Sequence, residues 1–69
     1  MNILMFVKAY NNEPIFIVPE KIVCIESNKS GTSIQIDGEI TFTVKESIEE
    51  VVSEVGLALK KNRDERTPI

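Results

Sequence analysis

The stretch Val44-Lys45-Glu46-Ser47-Ile48-Glu49-Glu50-Val51 carries a change of hydrophobic period. Upstream of it, Ile40, Phe42 and Val44 alternate with Thr41 and Thr43, the two-residue rhythm of a half-buried strand. Downstream, Ile48, Val51, Val52, Val55 and Leu59 recur at helical spacing and form the expected buried stripe. Ser47 is a good N-cap, and Glu50 three residues later completes a capping box; Glu49 and Glu50 sit against the positive end of the helix dipole. A strand therefore runs directly into an amphipathic helix. Glu46, Glu49, Glu50 and Glu54 are expected on its acidic, solvent-facing side. Gly56 inside the stripe costs about 1 kcal/mol relative to alanine, which points to close approach by the sheet or by another helix. Lys60 and Lys61 suit a helix end. The domain is expected over residues 1–61, with residues 62–69 a polar, frayed tail carrying Pro68.

Moving toward the N-terminus, Thr32 to Ile36 and Ile40 to Val44 flank Asp37-Gly38-Glu39. A two-residue Asp37-Gly38 loop would set Ile34 opposite Thr41 and Ile36 opposite Glu39. A three-residue loop, or a two-residue loop with a bulge, instead pairs Ile36 with Ile40, Ile34 with Phe42 and Thr32 with Val44, and collects Gln35, Thr41 and Thr43 on the other face. The second register is predicted, because a one-residue slip turns a whole strand over. A strand at about Ile22 to Ser27 precedes it through a turn at Asn28 to Gly31, and Pro19-Glu20 interrupts the chain before that. The Asn28-Lys29-Ser30 sequon is read as chance.

Residues 3–10 and Pro14 to Val18 read as an opening hairpin turning at Asn11-Asn12. With a two-residue loop, Val7 faces Phe16, Met5 faces Val18, Phe6 faces Ile17 and Lys8 faces Ile15. Both faces are then apolar, whereas an antiparallel pair normally turns one polar face to water. The helix is expected to cover one face and a neighbouring subunit the other. The fold predicted is α+β: a small antiparallel sheet of four to five strands followed by one C-terminal amphipathic helix.

Size sharpens the subunit argument. A 69-residue chain is one domain, and one this small buries only about 60% of the surface its unfolded chain exposes. Such a core rarely supplies more than about 3–5 kcal/mol without a staple. The single Cys24 excludes an internal disulfide, and the absence of histidine removes the usual zinc ligand sets. Oligomerisation is the expected staple.

Eight Lys and Arg against 11 Asp and Glu give a net charge of −3, a poor match for a phosphate backbone, so no nucleic-acid partner is expected. Ile3-Leu4-Met5-Phe6-Val7 is too short for a membrane span and lacks the basic flank of a signal peptide, so a cytosolic protein without membrane insertion is expected.

Little in the chain recommends catalysis. Cys24 lies among Ile22, Val23 and Ile25 and reads as a packed strand cysteine rather than a nucleophile. The glutamates read as a solvated helix face rather than a metal or acid/base cluster, which would need burial or convergence. Gly31, Gly38 and Gly56 are too far apart for a phosphate loop. Lys60, Lys61, Arg63 and Arg66 are interrupted by Asp64 and Glu65 and read as a solubilising helix end. Phe6, Phe16 and Phe42 read as core or interface, with Tyr10 wet at the hairpin end. No enzyme activity, cofactor or metal is expected.

Taken together, the hairpin opening, the Pro19-Glu20-Lys21-Ile22 step, the Gly31-Thr32 turn, the Gly38-centred hairpin and the Val44 to Val51 joint resemble the small flagellar FlbD-type proteins and their uncharacterised or phage-borne relatives, from about Phe6 to Leu59. The opening hairpin, Val7-Lys8-Ala9-Tyr10-Asn11-Asn12, departs from that pattern, which bears on the motility role more than on the fold. The resemblance implies a non-enzymatic accessory protein that acts by binding other proteins, as a homo-oligomer, in a bacterial cell or in host cytoplasm if phage-encoded. Two functions follow as expectations. One is a self-associating binding module using Ile3, Leu4, Phe6, Ile15 and Ile17. The other is an inhibitor or regulator of the phage or mobile-element type, presenting Glu46, Glu49, Glu50 and Glu54 to a basic surface of a host protein.

Overall fold

The computed structural model describes residues 2–38 and 40–66, with side chains excepted at 65 and 66. In chain order the elements are β1 (Leu4–Val7), β2 (Pro14–Ile17), a 3-10 turn (Pro19–Lys21), β3 (Ile22–Asn28), β4 (Gly31–Ile36), β5 (Ile40–Val44) and α1 (Ile48–Arg66). The α+β class is as predicted.

The single sheet of four to five strands is corrected. The strands form a two-stranded ribbon, β1-β2, and a three-stranded sheet in the order β3-β4-β5. One antiparallel bridge, Lys8 to Val44, links them. It is framed by two backbone bonds: Ala9 N–H donates to the Thr43 carbonyl at 2.9 Å, and Lys45 N–H donates to that of Val7 at 2.8 Å. The ladder goes no further because the chain turns away on both sides. Ala9 and Tyr10 enter the hairpin loop, and Glu46 leaves to start the helix.

The β4-β5 register is the predicted one, with Ile36 opposite Ile40, Ile34 opposite Phe42 and Thr32 opposite Val44. Gly38 has φ +84°, the left-handed conformation that glycine adopts without strain. The β3-β4 turn is also as read: Asn28 pairs with Gly31, and the Asn28 Oδ1 accepts the Ser30 N–H at 2.8 Å.

The first hairpin is shifted by two residues from its expected register. Leu4 faces Ile17, Met5 faces Phe16, Phe6 faces Ile15 and Val7 faces Pro14. The loop is wider than Asn11-Asn12. Lys8 N–H donates to Glu13, Asn12 N–H reaches back to Lys8, and Asn12 takes φ +61°. A shift of two preserves which side chains share a face.

Leu4, Phe6 and Ile17 of the ribbon meet Ile34 and Val44 of the sheet and Val51, Val55 and Ala58 of the helix in one buried core. Ile15, Ile22, Ile25 and Ile36 pack around it. The helical stripe differs from the predicted one. Val52 and Leu59 are 52% and 39% exposed, while Ala58 and Asn62 take the buried positions. Two small sheets offer the helix only a narrow contact, so one row of side chains is covered and the adjacent row is left outside.

The tail boundary is corrected too. The helix continues to Arg66, and Asn62 is 2% exposed. Its Oδ1 accepts the Asn2 backbone N–H, and its Nδ2 donates to Glu20 Oε2 at 2.9 Å and to the Asn2 carbonyl at 3.3 Å. This amide ties the helix end to the N-terminus and the 3-10 turn. The part of the expected tail at 67–69, Pro68 included, lies outside the described residues.

Candidate interaction surfaces

The joint from Val44 to Val51 is also where the molecule is fastened. Ser47 Oγ accepts the Glu50 N–H at 3.2 Å and its carbonyl accepts the Val51 N–H at 2.9 Å, so the predicted N-cap is made. Glu46 Oε1 accepts the Val7 N–H at 3.2 Å, and its carbonyl accepts the buried Thr32 hydroxyl at 2.7 Å. Through these bonds one residue holds β1, β4 and the start of the helix together.

That changes the acidic surface. Glu46 is half-buried and engaged in the fold. Glu49, Glu50 and Glu54 are exposed. Glu50 and Glu54, four apart, share one flank of the helix, while Glu49 points away from them. The four glutamates do not form one face. What the helix does show is charge separated along its axis: Glu49, Glu50 and Glu54 in its first half, and Lys60, Lys61 and Arg63 toward its end.

The expected oligomer surface divides as well. Leu4, Phe6 and Ile17 are buried in the chain's own core and Ile15 packs against it; only Ile3, 56% exposed, faces outward. The helix covers the face these residues share. The surplus apolar groups lie on the opposite face of the ribbon, where Met5 and Phe16 are directly paired and are 53% and 70% exposed. Of the five residues expected on the outer apolar face, Ile3 lies outside, whereas Leu4, Phe6, Ile15 and Ile17 belong to the inner one. Alternation along β1 and β2 marks Met5 and Phe16 as a pair; which pair the helix covers depends on where α1 lands.

On the polar side of the three-stranded sheet, Asn28 Nδ2 donates to Ser33 Oγ at 3.0 Å, and the Ser33 and Thr43 hydroxyls lie 3.4 Å apart. Cys24 belongs to this side. It is half-exposed, with Sγ 3.7 Å from Glu26 Oε1, rather than packed among isoleucines. A bulge between Ile22 and Cys24 turns the thiol outward. Nearby, an open groove of about 650 Å³ runs between the two turns, lined among others by Lys8, Tyr10, Lys29 and Thr43. Within it the Lys8 ammonium lies 5.6 Å from the Tyr10 ring centroid and 4.0 Å from the Glu13 carboxylate. Among the described residues no three Cys, Asp or Glu side chains converge as a metal site would require, and no helix is long and apolar enough to cross a membrane.

Fold and surfaces thus define a small α+β domain whose helix caps one face of a hairpin and leaves the other apolar. Comparison with protein families, with curated proteins and with solved structures finds no match to this chain.

Proposed function

We propose that this chain is a non-enzymatic, self-associating protein-binding module. The observation that carries the protein-binding part of this reading is the Met5 and Phe16 pair. Two large apolar side chains stand side by side on the outer face of a ribbon whose inner face already fills the core. An antiparallel ribbon normally turns polar groups to water on that side, and contiguous apolar surface marks interaction sites. Cross-strand pairing gives the two side chains a fixed relative placement, so a partner meets a rigid feature. The resemblance to flagellar accessory proteins supports the same class of function, a cytosolic accessory protein that acts by binding other proteins. The inhibitor reading has less support, because Glu46 is engaged inside the fold and the remaining glutamates lie on different flanks.

The test is capture from the native cell with the tagged wild type and with a Met5→Ser/Phe16→Ser variant, read by mass spectrometry. A protein retained by the wild type and lost by the folded variant is the expected result. An identical set on both baits would overturn the assignment of this face. Recovery of motility components would extend the family's role to this chain, and recovery of a nuclease, polymerase or defence enzyme would favour the inhibitor.

A further inference from the structure

We infer that the self-association runs through one flank of α1, as a two-fold dimer in which two copies of the helix pack antiparallel across Val52, Gly56 and Leu59. This rests on the self-associating reading above and names the surface that performs it.

Three observations meet on this flank. The first is spacing. Ile48, Val52, Gly56 and Leu59 follow one another at helical intervals and form a stripe beside the buried row of Val51, Val55, Ala58 and Asn62. Val52 and Leu59 are substantially exposed, so the apolar surface of the helix is wider than its own sheet covers.

The second is the glycine. Gly56 lies in the middle of a 19-residue helix, where glycine is the poorest choice short of proline. It is not among the glycines with positive φ, and a Cβ built on it would meet nothing within 4 Å. The isolated chain therefore gives no reason for a missing side chain there. A second helix does: crossing helices lie about 8–10 Å apart, and small residues at the crossing permit the closer end of that range.

The third is charge. The first half of the helix carries Glu49, Glu50 and Glu54 without a cation, and its end carries Lys60, Lys61, Arg63 and Arg66 against Asp64 and Glu65, a net positive charge. A parallel pair would set like charge against like charge and align the dipoles. An antiparallel pair with its two-fold axis between Glu54 and Val55, within half a helical turn of Gly56, brings Glu49 of one copy beside Lys60 of the other, twice, and opposes the dipoles. Glu49, Gly56 and Lys60 occupy one helical row, so this follows from their spacing. A surface complementary to itself in this way is what a two-fold contact requires.

Sedimentation over a concentration series tests the proposal, with Gly56→Gln, Glu49→Lys, Lys60→Glu and the doubly reversed Glu49→Lys/Lys60→Glu chain, each confirmed folded by circular dichroism. The wild type is expected to dimerise at high micromolar concentration. Each single substitution is expected to weaken the dimer by about tenfold or more. The double reversal is expected to restore it to within about threefold of wild type. Glu49 and Lys60 are separated by about 16 Å of helical rise within one chain, so recovery reports pairing between copies. A dimer of unchanged strength in every single variant would place the contact elsewhere and overturn the inference while leaving self-association intact. A wild type that stays monomeric would overturn both.

Discussion

Gly31 is the glycine of this fold with no room for a side chain. Its φ is +145°, and a Cβ at that position would fall 2.0 Å from the Val44 carbonyl oxygen. The contact is backbone, held by the β4-β5 ladder and the bridge to Lys8, so no side chain can swing aside. Gly31→Ala is expected to cost about 2–4 kcal/mol, combining backbone strain with overpacking; urea unfolding would measure it, and a loss below half a kilocalorie would show that the turn adjusts. Asn62 is the polar counterpart. Its amide makes bonds to Asn2 and Glu20 from a buried position, so Asn62→Ala is expected to cost about 1–3 kcal/mol. Faster hydrogen exchange at the Asn2 amide should accompany it, since that N–H loses the Asn62 oxygen.

At the scale of elements, the helix shows how local and global demands separate. Its start is written locally, by Ser47 accepting the Glu50 N–H. The β4-β5 register was likewise legible, because only one alignment sets Ile34 and Ile36 against apolar partners. The first hairpin was less so. A four-residue loop from Ala9 to Asn12 and a two-residue loop both preserve face parity, so the hydrophobic pattern could not choose between them. The end of the helix was missed for a related reason. Asn62 is polar and reads as tail, yet its partners lie sixty and forty-two residues away in sequence. Gly56 yields a prediction at this scale. In the dilute monomer, Gly56→Ala should raise stability by about 1 kcal/mol, a gain of about 4–8 °C in Tm. A lower Tm would mean that something within the chain already approaches Gly56.

For the whole molecule, the helix and the outer ribbon face lie on opposite sides of a thin fold. The proposed dimer through α1 would leave both Met5 and Phe16 pairs facing outward as two equivalent docking faces, and a bivalent adaptor of that kind would gain avidity without any new contact. Because Met5 and Phe16 are exposed, replacing both with serine is expected to leave ΔG of unfolding within about 0.5 kcal/mol per site of wild type. A larger loss on chemical denaturation would show that these side chains support the fold and would weaken their assignment to a partner.

What the sequence determined by itself was the order and kind of elements: the change of period at Val44 to Val51, the cap at Ser47, the alternation in β4 and β5, and the turn residues between them. Each depends on neighbours a few positions apart, where propensity and hydrogen-bonding chemistry act. The tertiary structure alone decided which apolar row became core. Placing α1 over Leu4, Phe6 and Ile17 buried one face of the hairpin and exposed Met5 and Phe16, and it covered Val51, Val55 and Ala58 while leaving Val52 and Leu59 outside. It also divided the strands into two sheets, because the chain turns away after Lys45 to form the helix. Hydrophobicity records which residues need cover; only the placement of the other elements in space determines which of them receive it.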